Sequence, residues 1–168
     1  MEETSVNFFR RNREKKHLRM IVIAAGVFLI VILLLLQFQK NFGTQRPRAL
    51  LQIGEVEILA DIAETPAARA QGLSGKEKIG EDEGMLFVFP KAGRYGFWMK
   101  DMRFPIDIVW IGEDMRIVGI TKNVSPETFP EVFRPPLPAR YVLETKSGLA
   151  DTRAIEIGES ISLRDLLQ

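Results

Sequence analysis

GMLFVFPKAGRYGFWMKDMRFPIDIVWIGEDMRIVGI, residues 84–120, is the stretch that decides the fold. Met85 to Phe89 is a compact apolar run and reads as a buried strand. Pro90 to Gly93 is a turn, and Tyr95 to Met99 reads as another strand. From Pro105 to Ile111 the residues alternate, with Ile106, Ile108 and Trp110 on one face and Asp107 and Val109 on the other. Gly112-Glu113-Asp114 turns the chain and Met115 to Ile120 returns, which makes a β-hairpin.

Working outward, the neighbouring segments carry the same signals. Leu51 to Ile62 holds one or two strands around Gly54. Thr65-Pro66 starts a helix, with Thr as N-cap and Pro at the first helical position, and Gly72 ends it. Residues 74–83 are polar with two glycines and read as a loop. Residues 124–139 contain Pro126, Pro130, Pro135, Pro136 and Pro138, a density that forbids a regular helix or a central strand. A strand is expected from Arg140 to Thr145, a short helix or turn over 147–151, and two short strands from Ile155 to Leu163 split at Gly158-Glu159. Many short strands with one or two short helices predict a mainly-β, compact barrel- or sandwich-like domain.

The N-terminal segment has a different character. Met20 to Leu36 is an unbroken apolar run, MIVIAAGVFLIVILLLL. At about 1.5 Å per residue it approaches the roughly 30 Å of a bilayer core. It is longer than a signal-peptide apolar stretch and no small-x-small site follows, so an uncleaved anchor is expected. Residues 1–19 carry six Lys or Arg against three Glu, and residues 20–48 carry three basic residues and no acid. The larger positive flank predicts a cytoplasmic N-terminus and an extracytoplasmic domain. The expected organisation is a basic tail over 1–17, a transmembrane helix over 18–39, a linker over 40–50 and the domain over 51–168.

Charge and composition narrow the function classes. Residues 49–168 hold 14 basic and 19 acidic side chains, a net of −5, which argues against nucleic acid as a partner. The chain has no Cys, and its one His, His17, lies in the basic tail. Thiolate chemistry and a Ser-His-Asp triad are therefore excluded from the domain, and zinc or copper sites are disfavoured. No metal and no cofactor are expected. Met85 and Met99 read as core filler and not as soft-metal ligands. The acidic run Glu81-Asp82-Glu83 lacks the spacing of an EF-hand and reads as a solvated loop.

The segments ETPAARAQGLSGKE (64–77), GMLFVFP (84–90), GRYGFWMKDMRFPIDIVWI (93–111), RIVGI (116–120), PARYVLET (138–145), SGLA (147–150) and IEIGESI (155–161) closely resemble the DUF192 family. The resemblance covers about residues 52–163, and its most specific part is the FWMK-x-M-x-x-P-I-D block. The family usually has Asn where this chain has Asp101. The resemblance implies a compact, mainly-β domain, often behind a signal or anchor segment, and brings no established activity.

The candidate ligand-binding residues are Trp98, Lys100, Asp107, Phe97, Arg69 and Glu144. Phe97 and Trp98 supply flat apolar surface, and Lys100 and Asp107 could form an ion pair across a short connection, giving a pocket for a polar organic ligand such as a sugar or peptide fragment. Simple core packing with a structural ion pair is the alternative. Arg69 could reach an acidic ligand or a carboxylate such as Asp61. Glu144 with Asp107 could form the two-carboxylate arrangement of a glycosidase. No complete catalytic constellation is present. The expected function is a membrane-tethered binding or interaction module, with a small polar ligand or an envelope protein as partner. An envelope-acting hydrolase using carboxylates and Lys100 is the alternative.

Overall fold

The computed structural model describes residue 20 and residues 23–35 and 46–165. The chain divides into two units, residues 1–45 and 46–168. In the first, residues 23–35 are helical and their apolar side chains are exposed, Ile23 and Phe28 among them. No helix among the described residues is long and apolar enough to cross a membrane. The basic tail at 1–17 and the two ends of the expected span lie outside the described residues.

The second unit is built on one seven-stranded sheet: β1 (Arg48–Ile53), β2 (Val56–Ala63), β3 (Glu83–Gly93), β4 (Ile106–Ile111), β5 (Ile117–Val124), β6 (Ala139–Lys146) and β7 (Ile161–Asp165). Strand β1 begins at Arg48, inside the stretch expected to be linker. The order across the sheet is β5-β4-β6-β3-β2-β1-β7, antiparallel throughout except for the parallel pair β2–β3. The sheet curls into a half-barrel. At one end its two outer strands meet, where Ile117 N donates to Glu159 O (2.9 Å) and Ile161 N donates to Met115 O (2.8 Å). It is therefore a single curled sheet, and not the two-sheet sandwich that the strand count also allowed.

Two short helices complete the unit, α1 (Pro66–Gln71) and α2 (Leu149–Thr152). In α1 the cap forms as its sequence dictates: Thr65 Oγ1 accepts from Ala68 N at 3.1 Å, Pro66 opens the helix and Gly72 closes it at φ +52°. That φ together with ψ −135° is a backbone conformation that glycine takes without strain and other residues do not.

Alternation along the central strands produces two apolar layers. Leu86, Val109, Ile111 and Leu143 join residues of the outer strands and of α2 inside the curl. Met85, Phe87, Ile108, Trp110 and Val142 face the other way. All six residues of β4 are buried, because both of its faces are covered.

Two expected strands do not form. Over 95–99 the sole bridge is Phe97 with Phe133. The partner segment is the proline-rich loop, where Pro130, Pro135 and Pro136 flank the bridge and lack the N–H groups that would extend a ladder. The loop itself is irregular, as expected, with a 3-10 turn at Pro126–Thr128 and a cis Phe129–Pro130 peptide. In the C-terminal segment β7 forms, whereas residues 155–157 do not pair as a strand, and Ile155 packs as a core residue.

Candidate functional site

The chain segments that lie over the second apolar layer leave a cavity of about 360 Å³. That falls within the ordinary range for small-ligand sites. Its walls are the rings of Phe87 and Phe89 from β3 and of Tyr95, Phe97 and Trp98 from the 94–105 connection, and it reaches Glu144 of β6. The rings brace each other: Phe89 stacks on Tyr95 with centroids 3.7 Å apart, and Phe97 meets Phe87 edge-on at 4.8 Å. Gly96 sits where any Cβ would come within 2.6 Å of Val132 and 2.7 Å of Arg134. A glycine there lets the proline-rich loop close against the connection.

Glu144 owes its position to strand register. It pairs with Met85 on β3 and with Ile108 on β4, and shares its face with Val142. A single carboxyl thus stands in an otherwise apolar layer. The residue is 5% exposed, and its Oε2 is buried with no hydrogen-bond partner. Burial pushes its pKa up to about 8. Nothing among the described residues offsets that burial, so the group is a neutral acid at pH 7. An unsatisfied buried polar atom costs about 1–3 kcal/mol, which a ligand that partners it would recover.

Other polar groups at the cavity are already engaged. Arg69 donates to the carbonyls of Glu64 and Val88 (the latter at 2.9 Å), and its guanidinium lies 5.2 Å from the centroid of Phe89. Ser74 Oγ donates to Lys100 O at 2.8 Å, Tyr95 OH to Lys91 O at 2.9 Å, and Gln71 Oε1 accepts from Arg46 at 2.9 Å.

Four of the six candidate residues therefore converge: Phe97, Trp98, Arg69 and Glu144 all line the cavity. Lys100 and Asp107 do not, and the expected ion pair between them does not form. Asp107 is fully buried on the opposite face of the sheet. Its Oδ1 accepts from Asn123 N at 2.8 Å and its Oδ2 from Ala150 N at 3.0 Å. The carboxylate thereby ties β4 to β5 and caps the first turn of α2, whose own N-cap, Gly148, has no side chain to offer. Lys100 is exposed.

The same alternation separates Glu144 from Asp107. Asp107 is in register with Thr145 and Glu144 with Ile108, so the two carboxyls point to opposite faces, and the glycosidase-type pair is absent. Arg69 does not meet Asp61, which binds Arg48 at 2.9 Å and Lys76 at 3.0 Å. Burial raises the Asp61 pKa, but its bonds to Lys76 and Arg48 outweigh this and hold it below the usual value.

Position 101 has a conformational reading. Asp101 adopts φ +57° and its carbonyl accepts from Gly75 N at 2.9 Å. Asn and Asp tolerate that left-handed backbone best among non-glycine residues, so either type suits the site.

Glu81 pairs with Lys146, Asp82 with Arg153 at 2.7 Å, and Glu83 accepts from Gly80 N at 3.0 Å, so the acidic loop diverges. No group of three or more His, Cys, Asp or Glu among the described residues is placed to hold a metal ion. Met85 and Met99 lie in the second apolar layer.

Sequence reasoning missed Phe87, Phe89 and Tyr95 as walls. The signal for Glu144 was available: an acid inside the apolar run YVLET falls on the buried face once the strand is assigned.

A curled mainly-β sheet with an aromatic-lined cavity and an unpartnered buried acid at it defines the class, a small β domain built around a pocket. The chain belongs to the DUF192 family, described as an uncharacterized ACR, whose pattern matches residues 49–163. Among solved structures it is similar to a protein of Sinorhizobium meliloti 1021 provisionally named a transcription regulator. The two are 27% identical, with a TM-score of 0.64 over 70% of this chain and 92% of that one. It is also similar to a protein of unknown function from Novosphingobium aromaticivorans DSM 12444, at 27% identity and a TM-score of 0.62 over 68% and 83% of the two chains. No curated relative matches it.

Proposed function

We propose that this domain is a small-ligand-binding module held at a membrane on its extracytoplasmic side. The observation that carries the binding reading is the buried, unpartnered Oε2 of Glu144, a residue that lines a cavity walled by five aromatic rings. Such a cavity offers apolar area to a ligand body and one polar group to orient it. Phe97, Trp98 and Arg69 contribute wall and rim. Lys100 and Asp107 have no part in it. The polar inventory favours a ligand with few polar atoms over a sugar, because Ser74, Tyr95, Gln71 and Arg69 are already hydrogen-bonded.

Support for the tether is the apolar run from Met20 to Leu36 and the exposed apolar helix at 23–35. The larger basic cluster before it favours a cytoplasmic N-terminus. A transcriptional role is not carried over from the Sinorhizobium neighbour, since the domain's net charge of −5, from 14 basic and 19 acidic residues, opposes binding to phosphate backbones.

A protein partner is a second reading, favoured by Trp98, Phe129, Val132 and Leu137, which are exposed large apolar residues. Trp98 and Phe129 stand together, 5.9 Å between centroids. Such patches mark interaction surfaces.

Fragment screening by NMR tests the binding reading. Shifts confined to Phe97, Trp98 and Glu144 are expected, and hits that perturb only residues outside the cavity contradict it. Carbonate extraction of membranes tests the tether: the full chain stays with the pellet, and its release to the soluble fraction contradicts the anchor.

A further inference from the structure

The geometry points to a hydrophobic amine as the ligand class, its ammonium set against Glu144 and its apolar body against the aromatic walls. This rests on the pocket reading above and adds to it the charge of the ligand. Glu144 is the one buried polar side chain of the cavity with an unpartnered oxygen, and once ionised a carboxylate accepts up to four hydrogen bonds. An ammonium brings three donors and a charge to that point, which a ketone or an ether cannot do. Aromatic walls favour a cation further, since ring faces carry partial negative charge. The cavity already holds one example, the Arg69 guanidinium over Phe89.

Among the described residues no cation bonds Glu144. The neighbours of Glu144 on β3 and β4, Met85 and Ile108, carry no charge. Arg69 of α1 is held by two carbonyls, Tyr95 of the 94–105 connection by Lys91 O, and Arg46 by Gln71, Gly72 O and the sulfur of Met85. Burial leaves the Glu144 carboxyl protonated at neutral pH. The amine therefore displaces its proton to solvent and keeps its own three. Guanidinium groups do not titrate in this range, so the exchange involves Glu144 alone.

Three compounds of one shape separate the possibilities: phenethylamine, 2-phenylethanol and 3-phenylpropanoate, each added to the full chain in detergent micelles and followed by thermal shift. Phenethylamine is expected to bind most tightly. Its affinity is expected to rise about tenfold per pH unit from pH 6 to 8 and to level off above, as the carboxyl loses its proton. Calorimetry in buffers of different protonation enthalpy should show close to one proton released at pH 7. Glu144→Gln should abolish the pH dependence and the preference for the amine while keeping the alcohol. An alcohol that binds as tightly as the amine, or an affinity that falls with rising pH, overturns the amine assignment and leaves the pocket reading standing. If none of the three binds, both fall.

Discussion

Replacing Glu144 by Gln should change the way stability depends on pH. In the fold the carboxyl titrates near 8, and in the unfolded chain near its ordinary 4.5. Between those values the folded state holds a proton that the unfolded chain has released. Stability therefore falls as pH rises through this window, by about 1.4 kcal/mol for each unit. From pH 5 to 8 the wild-type chain should lose about 3 kcal/mol through this one group, since the slope is partial at both ends of that range. Below 4.5 the slope disappears and the group's contribution to stability is at its fullest, because both states are protonated. The amide of the variant cannot ionise, so Glu144→Gln lacks the slope. At pH 5 the two chains should be within about 1–2 kcal/mol of each other, since a buried amide is no better satisfied than a buried acid. At pH 8 the variant should be the more stable. Urea unfolding read by tryptophan fluorescence is a suitable assay, because Trp98 and Trp110 are the chain's two tryptophans and both report on the domain. Subtracting one profile from the other cancels every other titration. Parallel profiles from pH 5 to 8 would refute the reasoning, because they would mean that Glu144 is ionised in the fold.

Other substitutions test the remaining assignments. Asp107→Asn places an NH2 donor against a backbone N–H of Asn123 or Ala150, and should lower unfolding stability by about 2–3 kcal/mol in the same urea assay. Lys100→Ala should change stability by less than about 0.5 kcal/mol and leave fragment binding in NMR titrations unaltered. Gly119→Ala drives a methyl to within 2.7 Å of the Pro136 ring and should cost about 1–3 kcal/mol, visible as a lower melting temperature. Trp98→Ala removes an exposed wall, so binding in the NMR titration should weaken about tenfold, equivalent to roughly 1.4 kcal/mol, while the melting temperature holds.

The sequence was most legible where a local rule was also the global answer. The 105–120 hairpin, the Thr65-Pro66 helix start, the Gly72 stop and the proline-rich loop all follow from chemistry within a few residues. It misled where strand formation needs a willing partner: Tyr95 to Met99 has strand-like residues, but the segment beside it is interrupted by prolines. The site was half legible. Phe97, Trp98, Arg69 and Glu144 were singled out by residue type, and the cavity does bring them together. Lys100 and Asp107 were paired because they are close along the chain, and sheet alternation then turned Asp107 toward the opposite core. Phe89 and Tyr95 could not be found locally, since their ring stack joins β3 to the connection that follows it. No sequence pattern announces the solvent exclusion that shifts Glu144.

The central claim, a buried and unpaired acid at a ligand cavity, is tested most directly by carbon-13 NMR titration of the Glu144 carboxyl in the full chain, assigned by comparison with Glu144→Gln. A midpoint near 8 is expected in the free protein and a lower one when phenethylamine is bound. A midpoint near 4.5, unchanged by the amine, would contradict it.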